Sequence, residues 1–139
     1  HQVQSFRSQN REQLYNMYEG YLKHNNLHLR DKINAYTLQK AIHPYVSIVR
    51  QGVREGVFQT SSAELAVESL IRIAPELRIK MAMIYIERNK NRKYQTEIGR
   101  IADYLEEFVH QILGAKKGSI NIAELFKSYF ADHEKSKPK

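Results

Sequence analysis

The amino-acid sequence predicts an all-α protein that forms a single helical domain of about six to seven helices. Apolar residues recur at three- and four-residue spacing along most of the chain, and no segment offers the partner strand that a β-sheet requires. Capping residues stand where helices should begin, and glycine or proline stands where they should end. We expect the domain to cover residues 1–131, followed by a basic flexible tail at residues 132–139.

Three helices are predicted before residue 58. The first is long and runs until the Asn25-Asn26 break, after which Asn26 caps a second helix. That second helix should end near Ile42, because Pro44 disfavours helical geometry at His43. Pro44 then suits the first position of a third helix.

Two glycines, Gly52 and Gly56, lie in the apolar stripe of this third helix, in the segment VRQGVREGVF. A glycine costs a helix interior roughly 1 kcal/mol relative to alanine, so two of them need a reason. Phosphate-binding loops place glycines between a strand and a helix, which this segment does not do. The prediction is therefore that both glycines allow a neighbouring helix to pack closely.

The second half begins with a capping box formed by Ser61 and Glu64. Pro75 should kink the helix that follows, or end it and start another at Glu76. Residues 81–86 are apolar on every side, which favours a helix buried on two sides over a strand, since helix-forming residues flank them.

Two more helices complete the prediction. Thr96 caps a helix with the cleanest apolar stripe of the chain, and Gly114 ends it. Asn121 and Glu124 form a second capping box that starts a last amphipathic helix.

Charge and composition narrow the class of protein. The formal charge is +7, and its excess gathers at residues 88–93 and in the tail, which indicates either a nucleic-acid surface or a solvated loop and terminus. The longest apolar run, residues 79–86, is far short of the ~20 residues that span a bilayer, so no membrane partner is expected. The chain lacks cysteine and a signal-peptide pattern, which favours the cytoplasm, and its start at His1 suggests a piece of a longer protein.

The sequence contains few candidates for metal-binding or catalytic residues. His24 and His28 have the spacing of a metal-binding pair, but the asparagines between them indicate a loop and no third ligand is evident. Glu106 and Glu107 lie on a charged face, and adjacent helix positions do not converge on a substrate. Without a nucleophile elbow, a Walker loop or a dinucleotide motif, we expect no enzyme activity, no cofactor and no metal.

Aromatic and soft apolar residues offer a different possibility, namely a cavity between helices for a mostly apolar small molecule. The same residues are also typical of a core, and taken singly each fits a core better. The predicted ligand-binding residues are Tyr15, Tyr18, Tyr21, His43, Tyr45, Val49, Met81 and Tyr85.

The apolar stripes of the later helices exceed what one internal contact covers, which predicts a twofold homodimer. The predicted interface residues are Met83, Ile86, Ile98, Ile101, Leu105, Phe108, Val109 and Ile112.

Residues 43–70, HPYVSIVRQGVREGVFQTSSAELAVESL, resemble the effector-binding half of TetR-family transcriptional repressors. In that family a helix ending in a G-V-x-x-G-x-F-like motif precedes a capped helix rich in alanine and leucine. The similarity covers about residues 43–74, and the helix ending Ile112-Leu113-Gly114 also resembles the last core helix of the family. Pro75 and the added helix at residues 121–130 depart from the family pattern.

The resemblance implies a homodimer in which the two long final core helices pair with their counterparts in a four-helix bundle, and a small-molecule effector bound in each subunit. It also implies that operator DNA is read by an N-terminal helix-turn-helix that this chain does not contain. The sequence thus predicts the ligand-sensing and dimerisation domain of a TetR-like regulator. The alternative is a helical protein-interaction module without a ligand pocket.

Overall fold

The computed structural model describes residues 27–131, together with Asn16 and Glu19. In residues 27–131 the chain forms four α-helices, a short 3-10 helix at Arg88–Lys90 and no strand, which confirms the all-α class for this part. The predicted first helix and the Asn26 cap lie outside the described residues. The four helices are α1 (Leu27–Arg54), α2 (Ala63–Ile86), α3 (Tyr94–Leu113) and α4 (Ala123–Tyr129).

Neither proline breaks its helix, so the predicted helix end before Pro44 is wrong, and of the two outcomes predicted at Pro75, a kink or a new helix at Glu76, the new helix is wrong. Lys40, whose carbonyl loses its helical partner at Pro44, is exposed, and so is Pro44, so water can satisfy that carbonyl. In α2 the buried residues on both sides of Pro75 bind the helix into the core along its length. Such packing offsets the ~3 kcal/mol that an internal proline costs.

The helices α1 and α2 run antiparallel. Arg30 near the start of α1 pairs with Glu76 in the second half of α2, and Arg50 near the end of α1 pairs with Glu64 at the start of α2. Exposed pairs of this kind contribute roughly 0–1 kcal/mol each, so they mark the register of the two helices more than they stabilise it.

The core consists of two clusters, and α3 passes through both. The first cluster joins the end of α2 to α3 and α4, and its centre is Met81, Ile98 and Leu105, each no more than 1% exposed. The second joins the second half of α1 to the start of α2 and the end of α3, around Val67 and Leu113. Val109 packs against both clusters and connects them.

Several helix ends differ from the prediction by one or two residues. The cap of α2 is Ser62 rather than Ser61, and its hydroxyl oxygen accepts the amide N–H of Leu65 at 3.2 Å. The helix α3 starts before Thr96, at Tyr94, and α4 starts at Ala123 without a cap from Asn121. The end of α3 is as predicted, because Gly114 takes the left-handed conformation with φ 59°.

None of the helices in the described part of the chain is both long enough and apolar enough to cross a membrane.

Candidate ligand and dimer surfaces

The two glycines of the family-like motif have different roles, and the atoms nearest to Gly52 belong to Phe58. A Cβ built on Gly52 would lie 2.6 Å from Cε2 of Phe58, so this glycine makes room for a ring that folds back onto α1. Gly56 lies beyond the end of α1 with φ 73°, and a Cβ there would meet nothing within 4 Å. The prediction that Gly56 packs inside a helix is therefore wrong, and the motif is a helix ending.

Backbone hydrogen bonds confirm this role. The amides of Val57 and Phe58 both donate to the carbonyl of Gly52, at 2.8 and 3.1 Å, which closes the last turn of α1. The amide of Gln59 then donates to the carbonyl of Leu113 at 2.9 Å, so the segment after α1 is tied to the end of α3. The sequence signal for this helix ending was the spacing of Gly52 and Gly56. The prediction missed it because it extended the helix through the whole apolar stripe.

A depression of about 480 Å³ opens to solvent beside this turn. Its wall combines backbone and small polar groups with the Phe58 ring, and none of the predicted ligand-binding residues that the structure describes contributes to it. The lining residues are Val53, Gly56, Phe58, Gln59, Thr60 and Ser61.

The predicted ligand-binding residues that the structure describes lie in separate places. Val49 is buried in the second cluster and Met81 in the first, while His43 and Tyr45 are exposed on α1. Tyr85 belongs to an aromatic group at the end of α2. The other three, Tyr15, Tyr18 and Tyr21, lie outside the described residues, so the effector site stays a prediction.

The predicted dimer residues divide between the interior and the surface. Ile98 and Leu105 are fully buried in the core of the single chain, and Ile101, Val109 and Ile112 pack against that core while half-buried. Residues in these positions stabilise the fold of the single chain, with or without a dimer. Ile86 is half-buried as well.

A strip of α3 beside this core remains accessible. Ile101 and Phe108 are half-buried, and Tyr104 between them is 61% exposed. Their spacing of three and four residues places them on one side of the helix. The sequence analysis did not include Tyr104 in the apolar stripe, although tyrosine is common at interfaces. Met83 of α2 is also exposed.

The aromatic group at the end of α2 fixes the loop that follows. The ring of Tyr85 lies 6.3 Å from that of Tyr94 and 5.4 Å from that of Phe130, so it joins the ends of α2 and α4 to the start of α3. The Arg88 guanidinium stacks over Tyr85 at 4.3 Å and donates to the Tyr85 carbonyl at 3.1 Å. These contacts hold the basic segment at residues 88–93 against the core.

Glu106, which the sequence analysis places on a charged face, and His110 organise the segment between α3 and α4. A Glu106 carboxylate oxygen accepts the amide N–H of Ala123 at 2.8 Å and so caps α4. The Ile120 amide donates to Nε2 of His110 at 3.2 Å, which leaves the proton on Nδ1, 2.8 Å from the Glu106 carbonyl. Both side chains therefore have structural partners rather than a catalytic geometry.

No group of three or more metal-ligating side chains comes together among the residues that the structure describes. Of the predicted histidine pair, His28 is exposed on α1, and His24 lies outside those residues.

Comparison with known proteins found no matching family model, no similar curated protein and no similar solved structure.

Proposed function

We propose that this chain is the ligand-sensing and dimerisation domain of a TetR-like regulator that acts in the cytoplasm. The observation that carries the dimerisation part is the accessible strip of α3, where Tyr104 is exposed between Ile101 and Phe108. An apolar strip on α3, the helix that passes through both core clusters, is suited to an isologous contact. A twofold axis brings the same patch from both subunits together. The resemblance of residues 43–74 to the TetR family supports the regulatory part.

The mechanism would be a shift of populations. An effector that binds one arrangement of the two subunits more tightly than the other changes the fraction competent to bind the operator by its differential affinity. A helix-turn-helix outside this sequence would read the DNA. In this scheme α3 transmits the effector signal, since it contributes both to the core and to the accessible strip.

A helical interaction module without a pocket is the second candidate, and one observation favours it. The described members of the predicted ligand site belong to separate clusters and surfaces rather than to one cavity. Exposed apolar side chains also occur on α1, where Tyr45 is 53% exposed and Ile48 is 58% exposed. A module of this kind would use such a face to bind a different protein.

Native mass spectrometry of the purified 139-residue chain tests both readings, because it reports subunit number and any retained small molecule together. The leading proposal expects a dimer with one small molecule per subunit. A monomer without a bound compound contradicts it and supports the interaction module.

A pair of variants then locates the dimer contact. Tyr104→Glu places a carboxylate on the exposed strip of α3, where an unpaired charge in a desolvated interface is strongly disfavoured, and the variant should sediment as a folded monomer. Ile48→Glu is the matched control, since Ile48 is similarly exposed but lies on α1. Dissociation by Ile48→Glu and not by Tyr104→Glu would move the interface to α1 and refute the assignment to α3.

A further inference from the structure

The ring of His110 has a hydrogen-bond partner at each of its two nitrogens. The imidazole is half-buried near the end of α3, and its Nδ1 lies 2.8 Å from the Glu106 carbonyl oxygen, one turn earlier. Its Nε2 accepts the backbone N–H of Ile120 at 3.2 Å. A carbonyl oxygen can only accept and a backbone amide can only donate, so the ring is neutral with its proton on Nδ1. Only one protonation state of His110 therefore satisfies both contacts.

The contact with Ile120 joins α3 to residues 115–122, the segment that leads into α4. Ile120 follows His110 by ten positions, and its side chain packs half-buried against the second cluster. Three residues further on, the Ala123 amide donates to the Glu106 carboxylate at 2.8 Å. Two side chains that are one turn apart on α3 thus hold the end of this segment and the start of α4.

A proton and the connecting segment compete for the same lone pair on Nε2. Protonation of the ring turns Nε2 into a donor, and the Ile120 amide would then meet a second N–H at 3.2 Å. The amide would lose its acceptor, and leaving such a group unpaired costs more than a made hydrogen bond contributes. A protonated His110 therefore favours an arrangement in which residues 115–122 have moved away from the ring.

The charged groups around the ring do not remove this competition. The charged residues nearest to it on the surrounding elements are Glu106 and Glu107 on α3, Lys116 and Lys117 in the connecting segment, and Glu124 and Lys127 on α4. Glu106 is engaged by Ala123, and Glu124 lies 3.6 Å from Lys127. On α1 and α2, the side chains packed around the end of α3 are apolar, and Arg50 pairs with Glu64. Within residues 27–131, no carboxylate pairs with His110 in a way that would stabilise an imidazolium.

The helix α4 depends on its docking to stay folded. It has seven residues, which is too few for a stable isolated helix. Ala123 and Phe130 are buried in the first cluster, and the Lys127 ammonium lies 2.8 Å from the Asp103 carboxylate. Exposed ion pairs of this kind contribute little. Weakening the segment before α4 therefore shifts the docking equilibrium of the helix as well.

We propose that His110 is a pH-sensitive switch: protonation of its Nε2 releases residues 115–122 and with them α4, while α2 and α3 stay packed together. Because α4 contributes Ala123 and Phe130 to the first cluster, its release uncovers apolar surface of α2 and α3 in acid. The docked segment excludes the proton and the released segment admits it. Docking is therefore complete at high pH and is lost as the pH falls, since the state that binds more protons gains population in acid.

The size of the effect follows from this competition. A free imidazole takes up its proton near pH 6.5, so excluding the proton from the docked state raises the release equilibrium by a factor of about 1 + 10^(6.5 − pH). The factor is about 1.1 at pH 7.5 and about 11 at pH 5.5, a change of about tenfold. Carboxyl groups ordinarily take up their protons near pH 4, so this pH range separates the imidazole from the carboxylates.

The test is amide hydrogen exchange of the full 139-residue chain, followed by NMR at pH 7.5 and 5.5 and corrected for the intrinsic pH dependence of exchange. The protection factors of the Ile120 and Ala123 amides should fall by about tenfold between the two pH values. The Ala102 amide, in the middle of α3, should change by less than about twofold, because α2 and α3 stay packed. A long-range ¹H–¹⁵N spectrum at pH 7.5 should show the ring proton of His110 on Nδ1.

Three variants separate the imidazole from other groups. The side chain of His110→Gln does not titrate, so its protection factors at Ile120 should be equal at both pH values, whatever their absolute level. His43→Gln is the matched control, since His43 is exposed on α1, and it should keep the tenfold response. Glu106→Gln keeps an oxygen that can accept the Ala123 amide, and it should keep the response too. Thermal unfolding by circular dichroism checks that each variant folds.

Four results would overturn the proposal. Equal protection of Ile120 at both pH values would show that the proton does not compete with the segment. A pH response that persists in His110→Gln would assign the response to another group. An equal fall in protection at Ala102 would show that acid loosens the whole fold, and a ring proton on Nε2 at pH 7.5 would contradict the hydrogen bond from Ile120.

Discussion

Gly114 offers the sharpest test of how the segment after α1 is joined to the end of α3. It ends α3 with φ 59°, a conformation that costs an L-residue roughly 1–2 kcal/mol. A Cβ at this position would also lie 2.7 Å from the carbonyl carbon of Gln59, and closer still to the carbonyl oxygen. Backbone atoms cannot swing away as a flexible side chain can, so Gly114→Ala must push the two segments apart.

We expect Gly114→Ala to lower the free energy of unfolding by about 2–5 kcal/mol, since the backbone strain and an overpacking cost of ~1–3 kcal/mol act together. The assay is urea-induced unfolding followed by circular dichroism. The shift should also weaken the hydrogen bond from the Gln59 amide to the Leu113 carbonyl, which hydrogen exchange of the Gln59 amide reports.

Gly118→Ala is the matched control. Gly118 has φ 80°, but a Cβ there would meet nothing within 4 Å, so this variant carries the backbone strain without the collision. It should lose roughly 1–2 kcal/mol. Equal losses in Gly114→Ala and Gly118→Ala would refute the reasoning, because they would show that the contact with Gln59 has no energetic consequence.

Three further predictions follow from particular contacts. Glu106→Ala should destabilise the chain by ~0.5–2 kcal/mol in urea unfolding because α4 loses its cap, whereas Glu107→Ala should have little effect; similar losses would contradict the capping role. Gly52→Ala should lower the melting temperature although alanine favours helices by ~1 kcal/mol, because the added Cβ collides with a ring, and a higher melting temperature would show that the ring moves aside. The hydrogen bond to Asp103 raises the pKa of Lys127 above the ordinary value of 10.5, so this pair contributes stability below pH 10.5 that is lost as the pH rises through the raised pKa. An NMR titration of the Lys127 side chain checks it, and an unchanged pKa in Asp103→Asn would contradict it.

The helical class was accessible from sequence because the apolar spacing repeats over whole helices. The end of α3 was predictable for the same reason, since Gly114 follows an uninterrupted stripe. The helix breaks predicted at the two prolines were wrong, because a local rule about one missing hydrogen bond includes neither the packing of α2 on both sides of Pro75 nor the access of water to the carbonyl that Pro44 leaves unpaired.

The surfaces were less predictable than the helices. A stripe such as the one through Ile98 and Leu105 has the same spacing whether it faces the interior or a partner, and in the structure these two residues face the interior. The capping of α4 by Glu106 joins residues 17 positions apart, and no local pattern contains such a contact. Gly56 was assigned to the wrong contact because the sequence does not reveal the sign of φ.

The unequal packing of α1 has a consequence for the order in which the protein opens. Val46 and Val49 in its second half are buried, whereas residues 28–41 contain no buried side chain. Amide exchange in the first half should therefore proceed by local fraying, at free energies well below that of global unfolding. The amides of α3 around Ala102 and Leu105 should exchange most slowly of all, because this helix passes through both clusters and opens only when both are lost. Among residues 27–131, proteolysis under native conditions should accordingly begin in the first half of α1, while α2 and α3 persist together as the most protected pair.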